Sequence, residues 1–176
     1  MKKTGNVALS GVLCALTLVC LLLTVVDVIS LALAALAGIL LLPIALECGL
    51  KWGFASYAIT SLLAILIVPS WECKLLFIFF FGYYPMLKIC LNRLSARWLQ
   101  WGIKFLLFNV AMIVTYALLF SVFHMDVAEF KLFGINFMWG FLAVGNVAFF
   151  VFDYALIGIV NLYYIRLHPV IHKLLK

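Results

Sequence analysis

Apolar runs of roughly 17–25 residues recur along this chain, separated only by short polar breaks. That pattern constrains the fold more than any other feature. In a bilayer every backbone N–H and C=O must be satisfied within the protein, so a spanning segment is a helix or a strand of a closed barrel. Barrel strands would alternate apolar and polar residues over about ten positions, and nothing here alternates in that way. The chain therefore reads as an all-α polytopic membrane protein. Composition agrees: 69% of its 176 residues are hydrophobic and 10% are charged, against about 45–50% and ~25% in soluble domains.

Six spans are expected, near residues 7–26, 28–46, 52–68, 75–91, 101–123 and 139–165, forming one membrane domain over 1–176. The first two merge into one run broken only by Asp27 and Ser30. The run is too long for one crossing at 1.5 Å per residue, so a turn is expected near Asp27. Met1-Lys2-Lys3 followed by apolar residues resembles a signal peptide. The run exceeds a signal core of ~7–15 residues, which favours an uncleaved first span.

Charge placement gives an orientation. With the N-terminus inside, Lys2, Lys3, Lys51, Lys88, Arg93, Arg97, Lys104, Arg166, Lys173 and Lys176 lie at cytoplasmic ends, and only Lys74 and Lys131 lie outside. The positive-inside bias thus places both termini in the cytoplasm of a plasma-membrane protein. Trp52, Trp98 and Trp101 mark inner span ends, and Trp71 and Trp139 outer ends, as an aromatic belt requires. The +6 net charge is accounted for by this topology, and no nucleic-acid partner is expected.

Several activities lack their residues. There is no P-loop, no Gly-rich dinucleotide fingerprint and no HExxH pair. Cys14, Cys20, Cys48, Cys73 and Cys90 are scattered without CxxC spacing, and read as small apolar residues rather than metal ligands or disulfides. No enzymatic activity, cofactor or metal is expected. Energised work would draw on a partner or an ion gradient.

Polar residues inside the spans are the candidates for function. Asp153 lies in the middle of the last apolar run, where a carboxylate costs at least ~2.5–3.5 kcal/mol and needs a partner, a proton or a wet cavity. Asn146 and Asp153 share a helix face, as do Asn109 and Tyr116 in the fifth span. Tyr84, within Phe81-Gly82-Tyr83-Tyr84-Pro85, lies at similar depth, with Lys88 one turn below. Two readings stand: a polar cavity in which Asp153, Asn146, Tyr116, Asn109 and Tyr84 contact a small ligand, or interhelical hydrogen bonding alone. Pro85 is expected to kink the fourth span. Glu47 is four residues before Lys51, spacing that suits a helix ion pair. His168, Pro169 and His172 read as a solvated basic tail.

Ala8, Gly11 and Ala15 form a ridge of small residues on the first helix. Such ridges let a second helix approach closely in lipid, either within the bundle or from a partner. This opening, with about six helices and both termini inside, resembles the substrate-binding membrane subunit (S-component) of energy-coupling factor (ECF) transporters. Alternatively it resembles a related bacterial membrane family that shares the Glu47-Cys-Gly-Leu-Lys51-Trp52 and Phe81–Pro85 stretches. The ECF resemblance implies capture of a small vitamin-like nutrient from outside and docking, through the ridge, on a transmembrane coupling subunit with ATPases. In that family the docking motif carries alanine where this chain has Gly11. The alternative is a structural or assembly protein of the membrane with no small-molecule ligand.

Overall fold

The computed structural model describes residues 2–24, 30–92, 95–121, 131–132, 135–136 and 138–168. The protein is all-helical, apart from a two-residue antiparallel pairing of Lys131–Leu132 with Ile135–Asn136. Among the described residues, five helical segments are long and apolar enough to cross a membrane: Thr4–Leu22, Leu50–Ile67, Trp71–Leu91, Arg97–Ser121 and Leu142–Arg166. The helices are α1 (Lys2–Leu22), α2 (Ser30–Leu40), α3 (Leu42–Glu47), α4 (Leu50–Ile67), α5 (Trp71–Leu76), α6 (Tyr84–Leu91), α7 (Arg97–Ser121) and α8 (Met138–Leu162).

The second expected span takes a different form. It is a shorter apolar segment, Leu31–Glu47, divided between α2 and α3 at Leu41. Pro43 starts α3; its missing N–H is tolerated in a first turn but ends the preceding helix. The expected turn at Asp27 lies outside the described residues, as do Arg93, most of the 124–138 break, and the tail holding Pro169, His172, Lys173 and Lys176. Of Lys2, Lys3 and Trp139 only the backbone is described.

The fourth span is broken in its middle. Phe77–Phe81 is a π turn, closed by the Gly82 N–H bonding the Phe77 carbonyl at 2.7 Å. α6 then restarts with Pro85 in its first turn, so the interruption belongs to the π turn and Gly82 as well as to proline. The loosened backbone is satisfied from a neighbour: the Tyr57 hydroxyl donates to the Ile78 carbonyl at 2.5 Å.

Close approach at this break requires glycine. A Cβ on Gly38 of α2 would stand 2.0 Å from the Phe81 carbonyl oxygen. α2 therefore lies backbone-to-backbone on the π turn, a packing that small residues permit in membranes. The enclosed core gathers around this contact and includes Ala34, Ala37, Leu41, Phe77, Phe80, Tyr84, Phe108 and Phe149. Phe80 stacks on Tyr84, and Phe149 stacks on Phe108. Leu62, Leu66, Val147, Val151 and Tyr154 remain largely exposed, as suits surfaces facing acyl chains.

Candidate functional site

Asp153 has company that the spacing of acids and amides did not indicate. Tyr84 donates its hydroxyl to Asp153 Oδ1 at 2.5 Å. Lys88 Nζ lies 2.8 Å from the same oxygen and also donates to the Asp153 backbone carbonyl. Lys104 Nζ lies 3.3 Å from Oδ1 and 3.4 Å from Oδ2. The four come from α6, α7 and α8, and none is more than 6% exposed. A buried carboxylate is stable only when paired and fully hydrogen-bonded, and these donors meet that demand.

Local structure places each donor. Tyr84 and Lys88 stand one turn apart on α6, so both reach the same carboxylate. Their register depends on the restart of α6 after the π turn. Lys104 lies about two turns into α7, with the Trp101 ring 5.2 Å from its ammonium. Phe80, Phe149 and Phe152 pack around the Tyr84 ring. That aromatic shell excludes water and strengthens the charged contacts it surrounds.

The remaining polar residues form separate contacts at other levels. Asn109 and Asn146 exchange amide hydrogen bonds at 3.0 and 3.1 Å, joining α7 to α8. Each also donates to the carbonyl four residues back, Phe105 and Leu142 respectively. Tyr116 donates to Glu72 Oε1 at 3.4 Å, joining α7 to α5. The five expected ligand contacts therefore divide among three sites: Tyr84 with Asp153, Asn109 with Asn146, and Tyr116 with Glu72. They do not line one space together.

Glu47 differs from the expectation. Its Oε1 accepts from the Tyr163 hydroxyl at 2.8 Å and lies 2.5 Å from His168 Nδ1, rather than serving Lys51, which is exposed. His168 thereby ties the end of α8 to the end of α3, so this residue is not a free solvated tail. A second π turn, Tyr163–Leu167, presents the ring and the imidazole to one carboxylate. Burial, and then the neighbouring Glu47 carboxylate, raise the Cys48 thiol above its ordinary pKa. Cys14 and Cys20 direct their thiols at the Ser56 and Leu33 carbonyls.

On α1, Ala8, Gly11 and Ala15 all point outward and are exposed, flanked by Val7, Val12, Leu16 and Val19. A Cβ on Gly11 would meet nothing within 4 Å. The helix packs on α2 and α4 through its opposite side, where Ser10, Thr17 and Leu21 are buried. Among the described residues, none packs on the small-residue ridge at Gly11.

Charge placement along the sequence puts Lys88 and Lys104 at cytoplasmic span ends and so does not reveal them as partners of Asp153. The available signal was electrostatic: both lie inside apolar runs, where a lone ammonium is as costly as a lone carboxylate. No protein-family model, curated protein or solved structure matches this chain.

Proposed function

We propose that this chain is a membrane subunit that works docked to a second transmembrane protein, as the substrate-capture subunit of an ECF-type uptake system. The observation that carries this reading is the outward ridge of Ala8, Gly11 and Ala15, exposed, and open at Gly11 among the described residues. A flat strip of small residues permits close backbone approach and van der Waals contact between helices in lipid, where the hydrophobic effect gives no drive. The captured compound would be a small nutrient bound among α6, α7 and α8, with ATP hydrolysis supplied by the partner.

A six-crossing layout with both termini in the cytoplasm of the plasma membrane accompanies this proposal. It is supported by the position of Glu47, which ends the Leu31–Glu47 segment at the same end of the bundle as Tyr163 and His168. Setting aside Lys88 and Lys104, which serve Asp153, the remaining basic residues keep their cytoplasmic bias under that layout.

A second reading is a scaffold in membrane assembly without a ligand. It is favoured by the enclosure of Asp153, 2% exposed with three side chains already on it. Affinity purification of the tagged protein in mild detergent, with mass spectrometry of co-eluting chains, separates the two. Recovery of a transmembrane coupling protein with ATPases, lost in Gly11→Leu, supports the uptake reading. Their absence, or recovery of envelope-building proteins instead, replaces it with the scaffold.

A further inference from the structure

The Asp153 cluster contains two ammonium groups and one carboxylate. With all three ionised, one positive charge has no counter-charge among the described residues, in an enclosed, aromatic-walled part of the bundle. The two lysines are not equivalent. Lys88 makes the shorter contact, at 2.8 Å, and also bonds the Asp153 backbone carbonyl. Lys104 straddles both carboxylate oxygens at 3.3 and 3.4 Å, with a tryptophan ring as its other neighbour. An ammonium has three donors; each lysine directs two at Asp153, and those of Lys104 make the longer contacts.

We propose that Lys104 receives the carboxylate of an organic acid, with Asp153 holding Lys88 beside it. The inference rests on the capture reading and names the class of compound captured: a monocarboxylate with an apolar, ring or acyl body. Such an acid supplies the missing negative charge, and its body suits the Trp101 ring that stands beside the Lys104 ammonium. Entry is along the seam of α7 and α8, the helices that carry Lys104 and Asp153. There Trp101 and Phe150 lie 5.4 Å apart and are 44% and 45% exposed, and the Trp101 ring stands 5.2 Å from the Lys104 ammonium. A cationic nutrient, by contrast, would add to a charge already in excess.

The test is equilibrium dialysis of radiolabelled benzoate, and separately of laurate, against the full chain in zwitterionic lipid nanodiscs, with benzylamine as the cationic control. Saturable binding of an acid but not of the amine is expected. Lys104→Met should weaken it at least tenfold, whereas Lys104→Arg should retain it. Lys104→Met keeps a one-to-one charge pair through Lys88, so its melting temperature should stay near that of the parent. Benzoate binding assigns a small ring-bearing acid, and laurate binding alone assigns an acyl chain. Should Lys104→Met fail to fold, tryptophan quenching by 4-iodobenzoate in the parent, reduced in Trp101→Phe, decides in its place. No saturable binding of either acid, binding unchanged in a folded Lys104→Met, or no such quenching would overturn the inference. Failure here leaves the docking result untouched. Loss of the coupling partner with acid binding intact would sink the uptake reading instead.

Discussion

Helices α1 and α8 are both long apolar rods, yet they treat polarity in opposite ways. α8 places Asn146, Asp153 and, past its end, Tyr163 and His168 against other helices, and each finds a partner there. α1 turns Ala8, Gly11 and Ala15 outward, with nothing among the described residues upon Gly11. In water the assignment would be reversed, since small apolar residues would be hidden and charges displayed. The lipid makes an unpaired charge the costly item and an exposed alanine neutral. One helix therefore holds the bundle together, and the other is left free to meet something else.

The comparison is broken most severely at Asp153. Asp153→Ala leaves Lys88 and Lys104 buried without a counter-charge, and removing one partner of a buried ion pair typically costs about 3–5 kcal/mol. The expected result is loss of folded protein in detergent, read by thermal unfolding. Asp153→Asn separates the roles: a folded protein that loses ligand supports a binding site, whereas parallel loss of folding and binding supports an internal lock.

A smaller effect is expected at the π turn. Gly38→Ala forces a methyl into the Phe81 carbonyl, and overpacking of this kind costs roughly 1–3 kcal/mol. A drop in melting temperature without any change in partner recovery checks it. The Asn109–Asn146 contact should matter less still. Interhelical hydrogen bonds in membranes average about 0.6 kcal/mol, reaching ~1.7 at most. The double replacement by leucine should therefore cost less than Gly38→Ala in the same unfolding assay.

Least of all should change with Gly11→Leu. Exposed positions away from caps and cores vary within about ±0.5 kcal/mol, so the melting temperature should hold while co-purifying partners are lost. A large destabilisation there would show that the ridge is packed after all, and the contrast between α1 and α8 would collapse.

Much of the fold was legible because hydropathy reports span length directly. The expected spans near 52–68 and 101–123 correspond to Leu50–Ile67 and Arg97–Ser121 within a few residues. The division at Leu41 was less visible, since Pro43 sits in an unbroken apolar run. At the candidate site, helical periodicity put Asn146 on the face of Asp153, but it could not say which residue across the interface each would meet. That depends on register between helices, and register here depends on a π turn that periodicity does not reveal. Glu47 shows the same limit. Spacing offers only local partners such as Lys51, whereas the observed ones lie more than a hundred residues away in the chain.

The partners of Lys88, Lys104 and Glu47 all lie on the last helix and the turn that follows it. During synthesis these three side chains enter the membrane before Asp153, Tyr163 and His168 exist. The unfinished bundle is thus an electrically open structure, closed only when its final segment arrives. A bundle lacking α8 would hold two ammonium groups and a carboxylate without these partners, each costly in hydrocarbon.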